Sequence, residues 1–176
     1  MSRISSIASA SLRHVLGNRC HTKATLAINA AGAATVKNTG ATVFSIGGVL
    51  YTKAALAAQS IAVTHRLDGT AVTTAEPAYV QPALTTVIYV VALNKGGTVA
   101  VVQGSYAGQS VTFKPDLGKI LIGDGDIPAE PAGYTAIGAI KVATAAATTF
   151  TPGTTLLDAA GVTVTYFDVS VLPESL

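Results

Sequence analysis

The stretch Thr85-Thr-Val-Ile-Tyr-Val-Val-Ala-Leu-Asn-Lys-Gly-Gly-Thr-Val-Ala-Val-Val-Gln103 decides the fold. Thr85 to Leu93 is apolar or β-branched throughout, which predicts a strand buried on both faces. Asn94-Lys95-Gly96-Gly97 follows as a turn signal, and Thr98 to Gln103 returns as a second strand. The two form a hairpin expected to centre the main sheet.

Working outward, Phe44-Ser-Ile-Gly-Gly-Val-Leu-Tyr51 reads as another hairpin, because two adjacent glycines between β-rich runs supply the positive φ angles of a primed turn. Ala24 to Asn29, Ala34 to Lys37, Thr42 to Ile46 and Val49 to Lys53 read as short strands, and Ala54 to Gln59 as a helical turn. Asp68 to Ala83 carries Asp68-Gly69, Glu76-Pro77 and Gln81-Pro82 without an apolar period, which predicts a loop and a possible boundary. Ile120 to Ile122, Tyr134 to Val142 and Val162 to Val171 complete the strands. In the last, Val162, Val164 and Tyr166 alternate with Thr163, Thr165 and Phe167. The fold class is therefore all-β, an antiparallel sandwich or barrel-like domain of eight to ten strands spanning residues 24–176.

Composition agrees. Ala, Thr, Val and Gly number 31, 23, 19 and 17 and fill just over half of the 176 residues. Thr and Val suit a pleated surface, and Ala and Gly let backbones approach closely. Charged residues are 11% against the roughly 25% usual for soluble domains, so much of the surface is small and weakly polar. Such a surface suits burial against neighbours, and it predicts a homo-oligomer. The longest apolar run, Val87 to Leu93, is strand-sized, so no membrane partner is expected.

Charge is unevenly spread. Residues 1–67 hold seven basic residues and no acid, while residues 68–176 set four lysines against all nine acids. The +2 net charge hides a +7 part and a −5 part. A cationic segment points to an acidic partner surface. Its charges are dispersed and the first aromatic is Phe44, unlike a nucleic-acid arm with clustered cations and stacking rings. Protein docking is the better reading, with no nucleic acid involved. Within residues 1–23, Ile4, Ile7, Ala8, Leu12, Val15 and Leu16 fall at helical spacing before Gly17-Asn18. This predicts a basic, extended or partly helical N-terminal arm that docks through Arg3, Ile4, Ile7, Leu12, Arg13, Leu16 and Arg19.

Chemistry-bearing motifs are sparse. Asp124, Asp126 and Glu130 place oxygen donors as calcium loops begin, but Pro128 and Pro131 break the spacing, so the segment reads as a solvated turn. No Gly-Lys-Ser/Thr forms a phosphate loop. His14, His21 and His65 lack the i, i+4 pairing or carboxylate companions of metal and triad sites. Cys20 stands alone, reads as a small apolar filler, and excludes an intrachain disulfide. No catalytic residue, metal or cofactor is expected, and the chain reads as a non-enzyme.

Phe44-Ser-Ile-Gly-Gly-Val-Leu-Tyr-Thr-Lys53, the Ile88 to Val91 strand, Pro131-Ala-Gly-Tyr-Thr-Ala-Ile-Gly-Ala-Ile-Lys-Val142 and Phe150-Thr-Pro-Gly-Thr-Thr155 together resemble structural proteins of tailed-phage virions. The likeness covers roughly residues 44–173 and rests on packing and turn residues. It implies an accessory virion component: a head decoration (cement) protein or head-fibre base, or else a tail or baseplate part. Its partner would be the major capsid protein or another virion protein, and its oligomer a trimer. A glycan- or receptor-binding module is the alternative from another class, disfavoured by aromatics of 6% and no Trp.

Overall fold

The computed structural model describes residues 17–73, 79–105, 107–108 and 130–169. Among them are eleven strands in three antiparallel sheets and no helix. The helical reading of residues 4–16, the Ile120 to Ile122 strand, Asp124 and Asp126 lie outside the described residues.

The main sheet runs in the order β11-β10-β7-β8, formed by Val162–Asp168, Tyr134–Thr144, Thr85–Asn94 and Val99–Gln103. A two-residue strand β9 (Ala107–Gly108) pairs with the start of β7. The central hairpin is where the sequence placed it, with Tyr89 opposite Gln103 and Leu93 opposite Val99. Asn94 closes it: its Oδ1 accepts the N–H groups of Gly96 and Thr98 at 2.9 Å each. From Val87 to Leu93 every residue is buried, as a strand covered on both faces must be. The eleven-residue β10 carries a bulge between Ala136 and Gly138.

Two smaller sheets complete the fold. β1 (Arg19–Cys20), β4 (Thr42–Ile46) and β5 (Val49–Lys53) form one, and β2 (Ala27–Ile28), β3 (Thr35–Lys37) and β6 (Gln59–Ser60) the other. In the β4–β5 hairpin Gly47 and Gly48 have φ of 57° and 77°, so the two-residue turn is of the primed kind and Ile46 meets Val49.

A single apolar core joins the three sheets. Phe44 comes from β4, Val36 from β3, Tyr89 from β7, Ile140 from β10, and Phe150 and Leu157 from the β10–β11 connection. Val162, Val164 and Tyr166 of β11 pack against it, while Thr163, Thr165 and Phe167 are exposed, so the alternation in the sequence sets the face. A smaller cluster of Ile88, Val90 and Ala139 lies on the opposite face of the main sheet.

Two local expectations need correction, and one expected loop holds a core residue. Ala24 to Asn29 is strand only at Ala27–Ile28, because Thr25 takes φ of 50° and its N–H goes to Asp168 Oδ1 at 2.8 Å. Ala54 to Gln59 is not a helical turn. Leu56 is buried there, its N–H bonds to Asn38 Oδ1, and Ala58 at φ of 48° turns the chain into β6. The 68–83 loop contains a core residue, since Gln81 is 0% exposed and its backbone pairs with Phe150.

Candidate docking site

Six of the seven residues expected to dock, Arg3, Ile4, Ile7, Leu12, Arg13 and Leu16, lie outside the described residues. Arg19 is described, exposed at the start of β1. β1 pairs with β4, Arg19 opposite Ser45 and Cys20 opposite Phe44. The chain leaving the arm is thus bound into the small sheet at once.

The root of the arm is fastened to one feature, the tip of the β4–β5 hairpin. Gly48 N–H donates to Gly17 O at 3.1 Å and Gly47 N–H to Asn18 Oδ1 at 2.7 Å. Immediately beyond the turn, Val49 and Leu50 are 45% and 55% exposed. Apolar side chains this exposed, beside a cationic segment, make a surface that gains free energy when covered. In this primed turn the Gly47 and Gly48 amides point away from the hairpin, where Asn18 Oδ1 and Gly17 O accept them. The sequence pointed to the turn and to the arm separately, and nothing in it signalled that the two meet.

Cys20 is 1% exposed, its Sγ–H donates to Thr22 O at 3.0 Å, and burial pushes its pKa up despite that bond. It is an apolar filler with a suppressed thiolate. His21 Nε2 lies 3.0 Å from Ser45 Oγ, a contact that strand pairing creates and sequence spacing cannot show. Ser45 is 0% exposed, so no substrate carbonyl can reach that hydroxyl. His65 packs edge-on against Tyr134 at 5.2 Å and shares a hydrogen bond with Thr64 Oγ1. Glu130, one of the three calcium-loop candidates, accepts the Ala136 N–H at 2.9 Å. Among the described residues no group of three His, Cys, Asp or Glu could hold a metal ion.

An open cleft of about 330 Å³ is lined by Arg66, Leu67, Tyr79, Gln103, Gly104 and Ser105. Gln103 is 5% exposed and its Oε1 is buried without a hydrogen-bond partner among the described residues. That atom is sealed from solvent and presents nothing to a ligand in the cleft. No described helix is long and apolar enough to cross a membrane.

The fold is all-β, three antiparallel sheets, with an exposed apolar hairpin tip bonded to the Gly17-Asn18 segment. Compared with family models, curated proteins and solved structures, the chain matches none.

Proposed function

We propose that this chain is a non-enzymatic structural protein of a tailed-phage virion. It binds the outside of the capsid and reinforces contacts between capsid subunits, as a decoration or cement protein. The observation that carries the docking role is the arm root tied to an exposed apolar hairpin tip. The phage assignment rests on the sequence resemblance.

Basic residues of the arm meet an acidic strip of the shell, and Val49 and Leu50 seal the contact. Each exposed charge contributes little alone, so the apolar tip supplies the short-range part. Quantitative mass spectrometry of purified virions that carry the chain tests the assignment. A copy number matching the capsid lattice supports decoration, a few copies per particle moves the protein to the tail, and absence from particles overturns the reading. Val49→Asp with Leu50→Asp tests the site. Both positions are exposed, so the double substitution should cost no more than about 1–2 kcal/mol, chiefly from the low strand propensity of Asp, while shell binding is lost.

A further inference from the structure

Strand β11 ends the main sheet, and no strand among the described residues pairs with its outer edge. The Ala145 N–H bond to Gly161 O at 2.8 Å fixes the phase of the β10–β11 ladder. Counting along the register, Thr163, Thr165 and Phe167 exchange bonds with β10, and Val162, Val164, Tyr166 and Asp168 turn their backbone groups outward. The outward Val162 N–H is taken by Ala159 O at 3.0 Å, and the rest of the row has no partner among the described residues. Natural sheets guard such an edge with Lys, Pro, a bulge or brevity. The seven-residue strand keeps an unbroken register with β10, contains no Pro, and carries a single charge at its last residue, Asp168, whose Oδ1 already accepts the Thr25 N–H at 2.8 Å. Of the other edge strands, β1, β2 and β6 are two residues long, β8 is bridged by His65 at Val102, and β5 ends in Lys53.

We infer that β11 pairs antiparallel with β11 of a second copy, about a two-fold axis at Thr165, making one continuous sheet across two molecules. The register follows from the edge itself. Centred on Thr165, Val164 faces Tyr166 of the second copy and Val162 faces its Asp168, so the outward residues meet, the Val162–Asp168 pair through the Val162 carbonyl alone because Ala159 O holds its N–H. Thr163 lies opposite Phe167 of the second copy, which is 44% exposed and gains a β-branched neighbour. Charge selects the antiparallel sense. A parallel in-register pair would set the two Asp168 carboxylates about 4.8 Å apart, whereas the antiparallel pair separates them by roughly 20 Å. This pairing stands independently of the virion reading. It gives the expected self-association a surface and a two-fold symmetry, in place of the trimer that the phage resemblance implies.

In this register Thr165 meets its own copy at a non-hydrogen-bonded position, with Cα atoms about 4.5 Å apart, within reach of a disulfide. Full-length Thr165→Cys should therefore oxidise to a covalent dimer. Phe167→Cys should not, because its two copies lie about 13 Å apart along the strands, but a mixture of Phe167→Cys and Thr163→Cys should cross-link. The buried Cys20 gives little background. Sedimentation of the full chain should show a dimer at ~10 μM, and Thr165→Lys, which sets two cations face to face, should weaken it at least tenfold while circular dichroism keeps the β signal. Thr165→Ser should remain dimeric. A wild-type monomer at ~100 μM, a trimer, or a dimer in which Thr165→Cys fails to cross-link would overturn the inference.

Discussion

Removing one hydroxyl from the core should cost more than its size suggests. Tyr89 is fully buried and its OH donates to Gln81 Oε1 at 3.1 Å. Gln81, also fully buried, spends its Nε2 on Thr85 O and Val142 O at 3.0 Å each. Its main chain is bonded both ways to Phe150, at 2.8 and 3.0 Å. One side chain thus staples the 79–84 segment to β7 and β10. Tyr89→Phe keeps the ring and its tilted contact with Phe150 at 6.0 Å, and takes away the one hydrogen bond that Gln81 Oε1 accepts among the described residues. A buried amide oxygen left without a donor costs about 1–3 kcal/mol. For a chain of this length that is roughly 3–8 °C in melting temperature. Gln81→Leu should cost about 2 kcal/mol by stripping donors from two carbonyls, since the single Thr144 hydroxyl proton, 3.2 Å from Thr85 O, makes its shorter bond to Pro82 O at 2.7 Å. In the double variant the orphaned oxygen no longer exists, so the two losses should fall short of additivity by about 1 kcal/mol. Urea unfolding of the four proteins at constant m-value measures the cycle. A Tyr89→Phe loss below about 0.5 kcal/mol, or strict additivity, would refute the account of Gln81 as a satisfied staple.

Gly153 sits at φ of 77°, and a Cβ there would lie 2.8 Å from Ala62 N, a backbone atom that cannot step aside. Gly153→Ala should therefore destabilise by at least ~1 kcal/mol in the same urea assay. Burial lowers the His65 pKa below its ordinary 6.5, so the unfolded chain binds the proton first. Stability should fall as pH drops through 6.5, and His65→Gln should flatten that slope in unfolding midpoints taken from neutral pH to about one unit below 6.5. The suppressed Cys20 thiolate should react with a thiol reagent at least ~100-fold more slowly in the native protein than in denaturant, and comparable rates would show the β1–β4 pairing to be open.

What could be read from the sequence was what repeats locally. The Thr85–Gln103 hairpin, the Gly47-Gly48 turn and the alternation of β11 are statements about neighbours in the chain, where period and turn chemistry suffice. The misread segments are those decided by distant partners. Ala54 to Gln59 has helical composition, yet Asn38 reaches across to bind Leu56 N and pulls the segment extended. Gln81 looks like a loop residue beside Pro82, and only the arrival of Tyr89 and Val142 makes it a core residue. The proposed docking surface shows the same division. The basic arm and the apolar hairpin are legible as separate pieces, and two hydrogen bonds from a glycine turn to Gly17 and Asn18 bring them together.

The proposed strand pair and the proposed docking arm are linked through Asp168. Its Oδ1 accepts the Thr25 N–H at 2.8 Å, and its charge helps to raise the Cys20 pKa, so the end of β11 lies beside the chain emerging from the arm. In an antiparallel β11 pair the two Asp168 residues stand roughly 20 Å apart at opposite ends of the joint. Two arms then leave in different places and can reach two sites on a repeating shell. Dispersed basic residues make each arm a weak binder, but tethering converts the second contact into an intramolecular one at an effective concentration on the order of millimolar. Thr165→Lys should therefore weaken shell binding by about 10²-fold or more even though residue 165 touches no shell, whereas equal binding by monomer and dimer would separate the two proposals and leave each arm acting alone.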